Sequence, residues 1–357
     1  MIDGAGPWGT GPYKLVEGVS TPNQRSDRVV LEANTDYWDP TRFPRLQRII
    51  FDNTLGQKEA VELVKTGEGR VDVVTELSPL DTLRVAESPY AQVVKNRQSL
   101  VTVLGLFNMR KAGSPWTDVR LRRAVNSAIN REDLIRYAAK GNGVIIPALL
   151  PVHSSGYNPD LAPYPFAPAT ARQMFREAGY PQGLPVTLIA SEDLEVQATV
   201  VSKMLEQVGL TVALQILDSA TYNRKILMTY LEQPPEQQSW DIALTTWTDV
   251  INFPVFEFYN ALALGGYACW VSEAPELRQL YDQVLHTVNQ EQQQGLVRQM
   301  ERHTHDQAYF LFLYNPIQLY AVNKAVEFVP YVTTILNLAE TSVKEQHWSL
   351  RQRSRQP

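Results

Sequence analysis

Three consecutive segments between residues 184 and 217 constrain the fold of this chain more than any other feature. The first, "LPVTLIAS", is a short apolar run, the second, "LEVQATVVSKMLEQVG", repeats its apolar residues with helical spacing, and the third, "LTVALQIL", is again strand-like. Gly209 stands where a glycine commonly ends a helix. A strand, a helix and a strand in this order predict an α/β layer.

The first part of the chain predicts a second, strand-rich α/β layer. Residues 1–80 combine short alternating runs with one helix-period stretch, and "YAQVVKN" and "SLVTVLGLFNM" add further strands. The turn-rich "RKAGSPWTD" then precedes a helical stretch in which Asp118 and Asn130 are suited to cap two helices. We therefore predict a domain boundary near residue 112.

A proline-rich segment follows these helices, and the sequence predicts that it is ordered. The stretch "GVIIPALLPVHSSGYNPDLAPYPFAP" has little periodicity, yet it is rich in apolar residues. A long segment without regular structure in a compact domain is usually either functional or disordered. Its apolar content favours an ordered loop.

Composition excludes several classes of partner. The formal net charge is −5, from 33 Lys and Arg against 38 Asp and Glu, so the sequence offers no basic face for nucleic acid and no polybasic membrane patch. The single cysteine, Cys269, cannot form an internal disulfide and is expected to be a small core residue. No stretch approaches the length of a transmembrane helix.

Motifs that carry catalysis or bind a cofactor are missing from the sequence. It contains no G-x-S-x-G, H-E-x-x-H, G-x-x-x-x-G-K-[ST] or strand-linked G-x-G-x-x-G pattern. His303 and His305 are two residues apart in a predicted helix, which turns them to different faces and disfavours a shared metal. We therefore expect no catalytic residue, no metal site and no cofactor.

Six stretches, in the same order, resemble one protein family. They are "GTGPYKL" (9–15), "ANTDYWD" (33–39), "GRVDVV" (69–74), "LFNMRKAGSPWTDVRLRRAVNSAINREDLI" (106–135), "YPFAPATARQMFREAGYPQG" (164–183) and "WDIALTTWTDVINFP" (240–254). Together they resemble the family 5 extracellular solute-binding proteins of ABC importers, the type that binds dipeptides, oligopeptides or nickel. An unrelated sequence would have to match all six stretches, and their order, by chance.

The resemblance implies an α/β, two-lobed fold like that of the type II periplasmic binding proteins, the Venus flytrap arrangement. Lobe I is expected in residues 1–111, lobe II in residues 112–320, and a return to lobe I in residues 321–357. In that family "GTGPY" lies well inside the chain, after a signal peptide, the first strands of lobe I and a small subdomain. The sequence is thus expected to be N-terminally truncated relative to the family, through a late start codon, a truncated gene or deliberate removal.

The resemblance places the stretch "TTWTDVINFP" at the cleft and makes Trp247, Thr248, Asp249 and Asn252 candidate ligand-binding residues. Trp247 would offer a flat face to the ligand, although a core tryptophan at a strand end is the alternative. In peptide-binding members an aspartate three residues after this tryptophan anchors the α-ammonium group of the ligand. Here that position is Val250, and a shift of one residue turns a side chain of an extended segment to the opposite face.

Three further residues are candidates from the same resemblance. Asn108 corresponds to an asparagine near the cleft floor, with a capping role at the hinge as the alternative. Leu149 belongs to "PALLP", which matches a loop lining the cleft and suggests an apolar wall. Arg224 is a candidate for a ligand carboxylate, against the alternative of a solvated helix arginine.

The function implied is that of a non-catalytic, solute-binding component of an ABC importer. Its expected ligand is a peptide or a similar small polar solute, and its expected partners are the permease subunits of the transporter. The resemblance implies a periplasmic or extracytoplasmic location, although the residues given begin without the basic and apolar regions of a secretory signal. The alternative is a scaffold or interaction protein that keeps the fold with a lost or incomplete cleft.

Overall fold

The computed structural model describes residues 9–19, 24, 26–67, 69–263, 266–272, 274–336 and 338–351. Its strands are β1 (Tyr13–Glu17), β2 (Arg28–Ala33), β3 (Arg48–Asp52), β4 (Val73–Val74), β5 (Ala91–Asn96), β6 (Val101–Phe107), β7 (Gly143–Ile145), β8 (Leu184–Ser191), β9 (Leu210–Leu217), β10 (Ile242–Thr248), β11 (Phe310–Pro316), β12 (Gln318–Asn323), β13 (Val326–Glu327) and β14 (Ser342–Val343). Its helices are α1 (Gln57–Val64), α2 (Thr82–Ala86), α3 (Val119–Ala128), α4 (Arg131–Ala138), α5 (Pro168–Glu177), α6 (Glu195–Gln207), α7 (Ser219–Ile226), α8 (Pro254–Leu262), α9 (Pro275–His286), α10 (Gln290–Asp306) and α11 (Trp348–Arg351).

The chain divides into two compact units. The first comprises Met1–Asn96, Gln318–Tyr331 and Ile335–Pro357, and the second comprises Arg97–Ile317 and Val332–Thr334. This division falls before β6, whereas the sequence suggested residues 1–111, 112–320 and 321–357. The physical reason is the pairing of β6, which forms antiparallel ladders with β10 and β11 of the second unit.

The first unit is built on small antiparallel sheets. One has the order β1-β2-β3, another has the order β4-β12-β5, and β13 pairs with β14. In the first sheet Leu15 lies opposite Leu31, which in turn lies opposite Ile49, so apolar residues of three strands share one face. The strand-rich layer expected from the first part of the sequence therefore forms, with β12 supplied from near the C-terminus.

The second unit contains a six-stranded mixed sheet among its described residues, with the order β7-β11-β6-β10-β8-β9. Strands β8, β9 and β10 run parallel, and α6 connects β8 to β9 as the sequence predicted. The buried residues of α6, Ala198, Val201, Ser202 and Leu205, recur at helical spacing. This is the amphipathic pattern with which a crossover helix packs against a sheet.

The two helix caps expected from the sequence are present. The Asp118 side chain accepts a hydrogen bond from the Arg120 N–H at the start of α3, and Asn130 accepts from the Asp133 N–H at the start of α4. Within the described ranges, no helix combines the length and the apolar character that crossing a bilayer requires.

Candidate functional site

Four of the predicted site residues lie at or just beyond the carboxyl end of β10. This strand lies inside the six-stranded sheet, with β6 on one side and β8 on the other. At its end Trp247 pairs with Thr102 and Thr248 pairs with Val101, across the ladder to β6. In open α/β sheets ligands commonly bind beyond the carboxyl ends of parallel strands. The fold therefore places this stretch where a ligand site is expected.

Trp247 is buried and only 6% exposed. Its indole N–H donates a hydrogen bond to a carboxylate oxygen of Glu257, and its ring stacks on Tyr267 with centroids 5.7 Å apart and an interplanar angle of 17°. Tyr267 is 42% exposed, so its ring, rather than that of Trp247, presents an accessible aromatic surface. In this conformation Trp247 is a buried support for that ring.

Asp249 is almost fully buried, with 2% of its surface exposed. Its N–H donates to the Leu100 carbonyl oxygen at 3.0 Å, and its Oδ1 accepts from the N–H groups of Ile251 at 3.2 Å and Phe253 at 3.0 Å. Its Oδ2 is also buried and has no hydrogen-bond partner among the described residues. Burial raises the pKa of the Asp249 carboxyl above its ordinary range.

Glu257 is a second buried acid at this site, and the sequence analysis did not identify it. It lies on α8, where it is the one charged residue of the helix sequence "PVFEFYNAL". Burial, helped by the neighbouring charge of Asp249, raises the pKa of Glu257 to about 7, and the hydrogen bond from Trp247 opposes this shift. A single acidic residue in an otherwise apolar helix is the sequence signal that points to it.

The loop between these two acids is apolar and exposed. Val250, Ile251 and Phe253 are large hydrophobic residues at the surface. Asn252, between them, is exposed and has a φ of 51°, a left-handed conformation that asparagine adopts more readily than most residues. The loop thus carries apolar side chains outward while its main chain is tied to Asp249.

Along the strand direction, Asn108 and Trp247 lie at opposite ends of the sheet. Because β6 and β10 are antiparallel and Ile242 pairs with Phe107, the end of β6 lies beside the start of β10. The pairs at the two ends are five residues apart, roughly 17 Å along a strand. Asn108 donates to the Trp240 carbonyl oxygen at 3.2 Å and accepts from the Lys111 N–H at 3.0 Å. These bonds favour the capping alternative.

Leu149 does lie at the Trp247 end, but its side chain is buried in the core of the unit. Its carbonyl oxygen accepts from the Thr102 hydroxyl at 3.2 Å, and its N–H donates to Glu301 at 3.2 Å, beside a 2.5 Å bond from the Leu150 N–H to the other oxygen of Glu301. The proline-rich loop is therefore fixed here by its main chain, and Leu149 is not an exposed apolar wall in this conformation.

Arg224 lies on the surface of α7. Its guanidinium donates to the Thr221 hydroxyl at 2.9 Å and lies 3.7 Å from a Glu232 carboxylate oxygen. About half of its side chain is exposed. This arrangement favours the alternative of a solvated helix arginine.

The described residues include no group of three or more His, Cys, Asp or Glu side chains arranged to hold a metal ion. One surface cavity of about 530 Å³ lies along α9, and another of about 330 Å³ is lined by residues of α4 and α6 together with Phe166. Neither is lined by a predicted site residue. The chemistry available at the end of β10 is thus two buried carboxylates, an aromatic stack and an apolar loop.

Comparison with solved structures shows the fold. The Helicobacter pylori protein DppA, described as an ABC transporter-associated periplasmic binding protein in complex with the peptide STSA, matches 94% of this chain and 63% of its own, with a TM-score of 0.74 and 20% identity. NikA from Brucella suis, in complex with Fe(III)-EDTA, matches 94% of this chain and 68% of its own, with a TM-score of 0.77 and 18% identity. The predicted periplasmic-binding-protein-like α/β fold is confirmed.

Curated relatives match a shorter part of the chain. The glutathione-binding protein GsiB of Pectobacterium atrosepticum is 29% identical over 216 residues, which is 60% of this chain and 40% of that relative. GsiB of Escherichia coli O1:K1 / APEC is 27% identical over 221 residues, with the same coverage. The match to this chain thus spans less than half the length of these relatives.

A family model gives the broadest sequence match. The model of the bacterial extracellular solute-binding proteins, family 5 Middle, matches residues 3–268. Family members are binding proteins, not enzymes, and they act outside the cytoplasm as components of ABC importers. These residues form most of the chain and include the whole stretch from β1 to α8. The chain belongs to the family 5 bacterial extracellular solute-binding proteins.

Proposed function

We propose that this chain is the solute-binding component of an ABC importer, and that it binds a peptide or a similar small polar solute without catalysis. The observation that carries the proposal is the family match over residues 3–268. The surroundings of Trp247 support it, because they combine an exposed aromatic ring with buried polar acceptors beyond the end of a parallel strand. The proposed partners are permease subunits, and the proposed location is periplasmic or extracytoplasmic.

Ligand-induced stabilisation tests the proposal directly. A ligand that binds only the folded protein adds RT ln(1 + [L]/Kd) to the free energy of unfolding, about 2.7 kcal/mol at a hundredfold excess over Kd. We would record thermal unfolding of this chain with di- to pentapeptides, glutathione, a nickel chelate and an oligosaccharide. At least one peptide or small polar solute is expected to raise the melting temperature in a concentration-dependent way.

A pair of variants locates the binding site. Tyr267→Ala removes the exposed ring that stacks on Trp247, so it is expected to weaken the ligand-induced shift. Tyr137→Ala removes another exposed tyrosine, on α4 and far along the chain from this stack, and is expected to leave the shift unchanged. Equal ligand-induced shifts of the melting temperature in both variants would contradict a binding site near Trp247.

The same experiment separates the alternative function. A chain that no solute stabilises, but that forms a specific and stable complex with another protein, would be a scaffold or interaction protein. That outcome would contradict the proposed solute binding.

A further inference from the structure

No cationic side chain in the described part of the chain pairs with the Asp249 or Glu257 carboxyl group. Both residues are at least 97% buried, and no ion pair among the described residues includes either one. Asp249 accepts hydrogen bonds from main-chain N–H groups, and Glu257 accepts one from the indole N–H of Trp247. Two uncompensated buried acids in one place are costly for a folded protein.

One oxygen in this pair has a vacant acceptor position. Asp249 Oδ2 is buried without a hydrogen-bond partner in the described part of the chain, while Oδ1 already accepts two bonds. Buried polar atoms are rarely left unpaired, and a charged acceptor makes the penalty larger. A ligand that donates hydrogen bonds and carries a positive charge would offset both the missing bond and the missing countercharge.

We propose that Asp249 and Glu257 form a subsite for a guanidinium group of the solute, with the Tyr267 ring as its stacking surface. A guanidinium is planar, carries five N–H donors along its edges and is weakly hydrated, so it can meet two carboxylates and an aromatic face together. The Tyr267 ring is exposed and is held by its stack on Trp247, which hydrogen-bonds to Glu257. The inference rests on the proposed solute-binding function and names the class of solute as basic peptides.

Access to the subsite requires movement of the apolar loop at residues 250–253. Asp249 Oδ2 is closed to solvent in this conformation. The loop that follows it is exposed and is fastened to Asp249 through the Ile251 and Phe253 N–H groups. Its apolar side chains would then lie against the aliphatic part of the solute, while an acidic peptide would meet two like charges.

Matched ligands isolate the guanidinium. We would measure calorimetric binding of N-acetyl-Ala-Arg-Ala-amide and of the same peptide with citrulline, which replaces the charged guanidinium by a neutral urea of the same shape. Acetylation removes the α-ammonium group, so an amine anchor cannot produce the difference. The arginine peptide is expected to bind roughly 10- to 100-fold more tightly, the range for hydrogen bonds to charged groups.

Variants assign the preference to the acid pair. Glu257→Gln is expected to reduce the arginine-to-citrulline ratio, and Glu276→Gln, at an exposed position on α9, is expected to leave it unchanged. Circular dichroism checks folding, and Asp249→Asn replaces Glu257→Gln if the latter fails to fold.

The outcomes separate the two proposals. Equal binding of the two peptides, or a ratio that survives both acid substitutions, overturns the guanidinium subsite and leaves solute binding intact. Failure of every peptide and solute to bind overturns both.

Discussion

Replacing Glu301 by glutamine is expected to change how the stability of the second unit depends on pH. Glu301 lies on α10 with 1% of its surface exposed. Its two carboxyl oxygens accept the Leu149 and Leu150 N–H groups, which fixes the proline-rich loop beside Thr102. Glutamine has nearly the same shape but cannot titrate, so the substitution isolates the effect of the proton.

The magnitude follows from the pKa. Burial raises the pKa of Glu301 from the ordinary 4.5 to about 8, and the two main-chain hydrogen bonds oppose the rise. The folded protein therefore keeps a proton that the unfolded chain releases. The contribution to stability is complete below pH 4.5 and is lost as the pH rises to about 8. Each pH unit in that window costs about 1.4 kcal/mol, which gives about 5 kcal/mol in total.

Glutamine carries a different and constant cost. Its oxygen accepts one main-chain N–H, but its NH₂ group faces the other, which costs about 1–3 kcal/mol at any pH. The Glu301→Gln protein is therefore expected to be slightly less stable than the parent at about pH 5. It is expected to be more stable by about 2–4 kcal/mol at about pH 8.5.

Urea denaturation at a series of pH values, followed by tryptophan fluorescence, measures this crossover. Glu291→Gln, at an exposed position on the same helix, is the control and should show no crossover. If the free energy of unfolding of Glu301→Gln is instead several kcal/mol below that of the parent at about pH 8.5, the two N–H groups hold the Glu301 carboxylate ionised. The reasoning from burial would then be refuted.

Two predictions concern local structure in the second unit. Asp118→Ala removes the cap of α3 and is expected to lower the free energy of unfolding by about 1 kcal/mol in urea titrations; an unchanged midpoint would contradict the capping role. Gly183→Ala is expected to cost about 3 kcal/mol or more, since φ is 101° and a Cβ would lie 2.2 Å from the Gly209 carbonyl oxygen. Gly141→Ala, with φ of 78° and open space, is the matched control at about 1–2 kcal/mol by thermal unfolding, and equal losses would exclude the steric argument.

Local patterns in the sequence were sufficient for the elements whose partners are close along the chain. The strand, helix and strand between residues 184 and 217 form β8, α6 and β9, and Asp118 and Asn130 cap the predicted helices. These features depend on periodicity and on side chains within three residues of a helix start, and both can be seen in a single sequence.

Long-range pairing was beyond the reach of the same patterns. The run that forms β6 is buried at every position, so its sequence suits a central strand of either unit. Because β6 pairs antiparallel with β10, Asn108 and Trp247 lie at opposite strand ends of the sheet. Strand direction has no local signature, so only the family resemblance grouped these two residues at one site. Glu257 was missed because its partners come from another element and its environment forms only on folding.

Strand β10 places a buried segment directly before an exposed loop. Most of the strand is buried between two neighbouring strands, while residues 250–253 just beyond it are exposed. Substitutions at exposed positions away from special features usually change stability by less than about 0.5 kcal/mol. Under the proposed solute binding, substitutions of Val250, Ile251 and Phe253 would change the surface offered to the solute at little cost in stability, while the buried strand before them stays the same.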